Sequence, residues 1–198
     1  MFISLEGIDG SGKSTQAKLL ARALGDDVVL VREPGGTQTG ERIRGLLKDP
    51  ALELDPLGEL LLFCAARAEL VAQVIGPARE RGEDIVCDRF SDSSVAYQGV
   101  ARGLGADRVE EICDQATGGI WPDVTILLRM GPEAAAARIG RRKTDRFEGE
   151  GIELQRLVAE GYDEVARRHP ERVRVVDAEG DKNAVHAAVL AEVQGVRA

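Results

Sequence analysis

Gly7-Ile8-Asp9-Gly10-Ser11-Gly12-Lys13-Ser14-Thr15 matches G-x-x-x-x-G-K-[ST] at every fixed position. The apolar run Phe2-Ile3-Ser4-Leu5 precedes it, and Gln16 to Leu24 follows with apolar residues at helical spacing. Strand, glycine-rich loop and helix in that order are the context the motif requires, and a chance glycine-rich turn has neither flank. The glycines let consecutive N–H groups face one phosphate, and the helix N-terminus adds positive partial charge. Lys13 then reaches the β and γ phosphates, and Ser14 can ligate Mg2+. Gly7, Ile8, Asp9, Gly10, Ser11, Gly12, Lys13, Ser14 and Thr15 together are the expected cradle of a nucleoside triphosphate.

Outward from this loop, strand-like segments at 2–6, 28–32, 85–88, 124–129 and 173–177 alternate with helical stretches. Most are rich in Val, Ile and Leu without polar alternation, as strands covered on both faces are. The pattern predicts an α/β fold: a five-stranded parallel sheet between helices, in three layers, joined by right-handed crossovers. No repeat, low-complexity tract or linker divides residues 1–198, so one domain is expected. In such sheets ligands collect beyond the C-terminal ends of the strands.

With 198 residues, 43% of them hydrophobic, the chain can build a sizeable core. The net charge of −8 argues against a broad nucleic-acid surface, which needs clustered Lys and Arg. Met1-Phe2-Ile3 leads straight into the first strand without a basic leader, and no stretch reads as long and apolar enough to span a bilayer. A soluble, cytoplasmic protein is the expectation. Cys64, Cys87 and Cys113 lie far apart without C-x-x-C spacing and read as small buried residues.

Each further motif follows a strand. After the second comes Arg32-Glu33-Pro34-Gly35-Gly36-Thr37, then a helix from about Thr39 carrying Arg44. Beside a phosphate loop this turn can shape the floor of an acceptor site. The next helix, about 56–81, is apolar on several faces, which means burial in a large core or against a second subunit. Phe63 and Arg67, four apart, point to one side of it and make a platform and edge-reader for a nucleobase, although core packing with a snorkelling charge gives the same pair. After the third strand comes Cys87-Asp88-Arg89-Phe90: Asp88 is placed to hold Mg2+, and Arg89 supplies a fixed cation. After the fourth, five basic residues fall within Arg138 to Arg146. In a phosphate-handling protein they read as a basic lid, about 138–149, bringing cations over the transferred oxygens and excluding water.

Arg-Glu-Pro-Gly-Gly-Thr, Asp-Arg-Phe, Ser-Ser-x-Ala-Tyr-Gln-Gly and the Asp145–Glu148 run, in this order, resemble the bacterial thymidylate kinases from Phe2 to about Asp177. The resemblance implies a P-loop NTPase fold, phosphorylation of dTMP by ATP with Mg2+, and a homodimer packed through helices including 56–81. It implies that Phe63 stacks on thymine while Arg67 and Ser94 address the base edge. Tyr97 lies where a 2′-hydroxyl would sit, and Gln98 reaches the base or its neighbours. Asp9, Glu33, Arg44 and Arg89 complete the acceptor pocket, and Arg138 joins the ATP site. Some members carry an arginine where this chain has Gly10, and those without it place one in the lid, which fits Arg141, Arg142 and Arg146. The expected catalytic set is Lys13, Arg89, Arg141 and Arg146, with Ser14 and Asp88 on the metal. The loop Asp177-Ala178-Glu179-Gly180 is a candidate to lie against adenine.

Two rival readings use part of this pattern. Another small P-loop kinase keeps the loop and lid but has no need of Phe63, Arg67, Ser94 and Tyr97. A GTP-dependent switch protein wants an early Asp-x-x-Gly and an Asn-Lys-x-Asp guanine reader; here Asp177-x-x-Gly180 follows the last strand and no such reader occurs.

Overall fold

The computed structural model describes residues 1–139 and 146–197. Arg141, Arg142 and Asp145 of the expected lid therefore lie outside the described residues. At the centre of the sheet stands β1 (Phe2–Glu6), flanked by β3 (Ile85–Asp88) and β4 (Val124–Arg129), with β2 (Val29–Arg32) and β5 (Val173–Asp177) outermost. All four pairings are parallel, as the strand and helix alternation predicts. The register sets Leu5 and Arg32 both opposite Asp88, so β1, β2 and β3 end level and their following loops share one rim.

The helices form the outer layers. α1 (Lys13–Leu24) and α10 (Lys182–Arg197) pack on each other over the sheet. A second group comprises α3 (Pro56–Leu70), α6 (Ala106–Thr117), α9 (Ile152–Arg168) and the turn of helix α5 (Ser91–Ser94), which widens into a π-helical stretch, Val95–Ala101. Burial on both faces holds for β1, β3 and β4. It fails for the edges: Leu30 on β2 is 43% exposed and Val175 on β5 is 40% exposed. A run of apolar residues does not say which strand is outermost.

α2 (Gln38–Lys48) begins where Thr37 accepts the Gly40 N–H on its Oγ1, an N-cap that satisfies one orphan donor. α3 starts on the Asp55 cap with Pro56 in its first turn, then runs through the π-helical Val71–Ile75 into α4 (Gly76–Glu80). This continuous helix has a mean hydropathy of 1.5 over its most apolar window and is long enough to cross a membrane by length and composition. That corrects the expectation that no such stretch exists. Its polar residues Glu59 and Arg67 are nonetheless buried in ion pairs within the fold.

α7 (Pro132–Ile139) follows β4 and α8 (Arg146–Gly149) precedes α9. Where α9 crosses Val95–Ala101, Gly161 allows backbone contact: a Cβ there would lie 2.6 Å from the Ala96 carbonyl oxygen. Gly161→Ala is expected to push the segments apart and cost about 1–3 kcal/mol, as overpacking does. Thermal melting checks this, and an unchanged midpoint would show that the two backbones are not in contact.

Candidate active site

Gly10, at φ +86°, turns the loop after β1, and an added Cβ would sit 2.5 Å from the Ala135 carbonyl oxygen of α7. No side chain fits there without displacing α7, so this loop carries no arginine of its own. Gly12, at φ +97°, is the N-cap of α1. Lys13 donates from Nζ to the Ile8 carbonyl at 2.7 Å and is almost fully buried. Burial and the nearby Arg89 pull its pKa down to about 8, against Asp9, Asp88 and Glu6. The buried Ser11 hydroxyl has no partner among the described residues. It and the Lys13 ammonium are the polar groups a phosphate would satisfy.

Ser14 Oγ donates to Asp88 Oδ2 at the mouth of the loop. Two hard oxygen donors side by side suit Mg2+, which takes one or two protein oxygens and completes its shell with phosphate and water. The described residues contain no group of three or more His, Cys, Asp or Glu able to hold a metal by themselves.

Arg89 follows β3 with φ at +74°, an uncommon conformation for a residue with a side chain. Its guanidinium reaches Asp9 Oδ1 at 2.5 Å, Tyr162 OH at 2.8 Å, Gly7 O and Ser93 Oγ at 3.1 Å, and Tyr97 OH at 3.3 Å. Beneath it the fully buried Glu6 accepts from Phe90 N–H and Ser93 Oγ at 2.6 Å and from Tyr162 OH at 2.9 Å. Burial, then Asp92, pushes Glu6 up to about 7 although Arg89 opposes it. For Asp9 the balance is reversed: burial raises it, but Arg89 and Lys13 bring it down to about 2. One acid therefore stays charged beside Arg89 while the other titrates near neutrality.

Arg67 is 1% exposed. Its Nε donates to Glu33 Oε2 at 2.8 Å, Nη2 to Ser94 Oγ at 3.1 Å and Phe90 O at 3.3 Å, and Nη1 to Cys113 Sγ at 3.4 Å. The other Glu33 oxygen is buried without a partner among the described residues, and burial lifts Glu33 to about 7 despite Arg67. Phe63 meets Phe147 at a 5.8 Å centroid separation, and Phe147 meets Tyr97 edge-on at 6.1 Å.

The phosphate loop, Arg89 and this aromatic end all line one cavity of about 490 Å3. Six cations line it (Lys13, Arg32, Arg44, Lys48, Arg89 and Arg138) against three acids, Asp9, Glu33 and Asp88. In a chain of net charge −8, this local excess of positive charge selects an anionic ligand and steers it inward.

Residues 5–189 match the profile of the family described as thymidylate kinase. The chain belongs to the thymidylate kinase family. It is 45% identical over 197 residues to a thymidylate kinase of Deinococcus radiodurans, covering 98% of this chain and 96% of that one. It is 50% identical over 182 residues to one from Symbiobacterium thermophilum, covering 90% and 85%. A crystal structure of thymidylate kinase from Ehrlichia chaffeensis superposes with a TM-score of 0.82 at 35% identity, covering 98% of both chains.

Of the residues singled out in sequence, Asp9, Gly10, Gly12, Lys13, Ser14, Thr15, Glu33, Arg44, Phe63, Asp88, Arg89, Ser94, Tyr97, Gln98 and Arg138 line the shared cavity. Arg67 lies just behind it, bonded to Glu33 and Ser94. Gly7 and Ile8 serve through their carbonyls, which hold Arg89 and Lys13. Arg146, expected among the catalytic groups, is placed elsewhere: it donates to Glu59 at 2.6 Å and to the Leu47 carbonyl at 2.9 Å, with its guanidinium over Phe147. The loop after β5 is likewise outside this cavity; Asp177 and Glu179 line a second one of about 800 Å3 beside Gly7, Ile8 and Tyr162. Sequence reasoning passed over Glu6, Glu59 and Tyr162. Tyr162 had no signal, being one apolar position in an amphipathic helix, whereas Glu6 stood out as a charge ending an otherwise apolar strand.

Proposed function

We propose that the protein transfers the γ-phosphoryl group of ATP to the 5′-phosphate of dTMP, giving ADP and dTDP by direct in-line displacement. The observation that carries this is the single cavity joining a triphosphate loop to an aromatic and guanidinium pocket of base size, with Arg89 on its wall. The acceptor oxygen is already anionic, so no strong base is needed and positioning with electrostatic stabilisation does the catalysis. Lys13 and the loop N–H groups hold the donor phosphates. Arg89, fixed by Asp9, draws the acceptor phosphate into line. Arg138 lines the donor side, with Arg141 and Arg146 as the further lid cations; Arg146 takes that part only on leaving Glu59. Ser14 and Asp88 would hold Mg2+, which would supply charge neutralisation for the phosphates.

Phe63 stacks on thymine, Arg67 and Ser94 read its edge, and Tyr97 occupies the space a 2′-hydroxyl would need. Residues 1–198 act as one kinase unit in the cytoplasm, as a homodimer through helices including 56–81. Leu61, 51% exposed on α3, is an apolar residue that such a contact would cover.

The test is ADP formation from Mg-ATP with dTMP, dUMP, dCMP, dGMP, AMP and UMP supplied singly. Rapid turnover with dTMP is expected. The thymine methyl group offers about 1–3 kcal/mol, so dUMP should be weaker by roughly 10- to 200-fold. If another monophosphate turns over faster, the roles of Phe63, Arg67 and Ser94 fall; if none is phosphorylated, the kinase reading falls.

A further inference from the structure

Glu59 on α3 is 1% exposed and lies outside every motif described above. Its Oε1 accepts from Gln98 Nε2 at 2.7 Å and Arg102 Nε at 3.3 Å; its Oε2 accepts from Arg146 Nη2 at 2.6 Å and Arg102 Nη2 at 3.3 Å. Arg102 also grips Glu150, through Nη2 to Oε1 at 2.5 Å and through Nη1 to Oε2. One buried carboxylate is thus shared by a wall residue of the substrate cavity, Gln98, and by the segment 146–150, whose Phe147 lines the same cavity. Neither arginine is an ordinary surface pair: Arg102 and Arg146 are 19% and 12% exposed.

A carboxylate flanked by two arginines is an acceptor only, so the side of the Gln98 amide facing it must be the NH2 group. The Gln98 carbonyl oxygen, on the other side of that amide, makes no hydrogen bond among the described residues, and Gln98 lines the cavity. An acceptor there pairs with a ring N–H. Thymine offers one at N3, whereas cytosine has a bare lone pair at N3 and would oppose the carbonyl.

We infer that Glu59 is a positioning residue that fixes the Gln98 amide for a pyrimidine carrying an N3–H and, through Arg146 and Arg102, fastens the 146–150 segment to the same wall. The inference rests on the dTMP reading above. Base selection and closure over the base then share one buried hub.

The experiment compares wild type, Glu59→Gln, Arg146→Gln and Gln98→Leu by steady-state kinetics with dTMP and dCMP, and by amide hydrogen exchange over 146–150. In Glu59→Gln, residue 59 can turn either its oxygen or its NH2 toward Gln98, so the amide is free to flip. The ratio of kcat/KM for dTMP over dCMP should fall by about tenfold or more, equivalent to the loss of one hydrogen bond's preference. KM for ATP should stay within about twofold, and exchange over 146–150 should quicken. Arg146→Gln should speed that exchange while keeping the wild-type ratio, because the bond from Gln98 to Glu59 remains. Should Glu59→Gln fail to fold, Gln98→Leu must show the same fall in the ratio. A Glu59→Gln enzyme that merely melts earlier, with ratio and exchange unchanged, overturns the proposal, as does a Gln98→Leu enzyme with the wild-type ratio. Wild type that ignores dTMP sinks the functional reading instead, while the exchange difference between wild type and Arg146→Gln still reports on the clasp.

Discussion

Arg89→Met is expected to lower kcat/KM for dTMP by about 10³-fold or more, the range seen when an arginine leaves a phosphoryl-transfer site. The size follows from how many groups are built around this one guanidinium. Asp9, Ser93, Tyr97, Tyr162 and the Gly7 carbonyl all hold it, and the backbone adopts φ +74° to present it. Arg89→Lys should recover little, because one ammonium cannot span Asp9 on one side and Tyr162 on the other. The substitution also removes the cation that holds Glu6 and Asp9 down. Glu6 sits at about 7 in the folded protein, above its ordinary 4.5, so its contribution to stability is present below about 4.5 and is lost as pH rises through 7. Without Arg89 the folded value climbs further, and that loss continues to higher pH. Saturation kinetics at fixed pH, with melting curves at two pH values, separate the catalytic deficit from the stability change. A kcat/KM within tenfold of wild type would remove Arg89 from the reaction.

The chemistry of this site was legible wherever function forces a local pattern. A phosphate loop must be contiguous, so residues 7–15 read directly, and α/β alternation announced the parallel sheet. Groups that act through others were not legible. Glu6, Tyr162 and Glu59 are remote from one another in sequence and meet the motifs only once β1, α9 and α3 are packed. The basic run after α7 shows where composition stops short. Composition suggested that its arginines point at phosphate, but Arg146 is paired with a buried acid that spacing does not reveal. Arg67 shows a third kind: its four-residue spacing from Phe63 was visible, whereas its near-complete burial against Glu33 was not.

That burial makes Arg67→Met the largest expected effect on stability. Removing one partner of a buried ion pair strands the other and costs about 3–5 kcal/mol, while replacing both can be close to neutral. Here the stranded group is Glu33, one oxygen of which already lacks a partner among the described residues. Its pKa of about 7 reflects burial raising it and Arg67 lowering it, so deleting Arg67 lets it rise further. A raised acid favours the folded state below its unfolded value, near 4.5, and that advantage drains as pH rises through the folded value. The variant should accordingly be only modestly weakened near pH 6, where Glu33 is largely protonated, and fall short of wild type by the full amount near pH 8. Urea unfolding at the two pH values measures this. Glu33→Gln in the Arg67→Met background should restore much of the pH 8 stability and remove the share of the pH dependence that Glu33 contributes, leaving that of the buried Glu6. The same double variant should still bind dTMP poorly, since the guanidinium beside Ser94 is gone. If Arg67→Met loses equal stability at both pH values, the cost comes from packing and lost hydrogen bonds, and the charge of Glu33 plays no part. If the double variant regains dTMP affinity along with stability, Arg67 is a strut for the pocket and does not read the base.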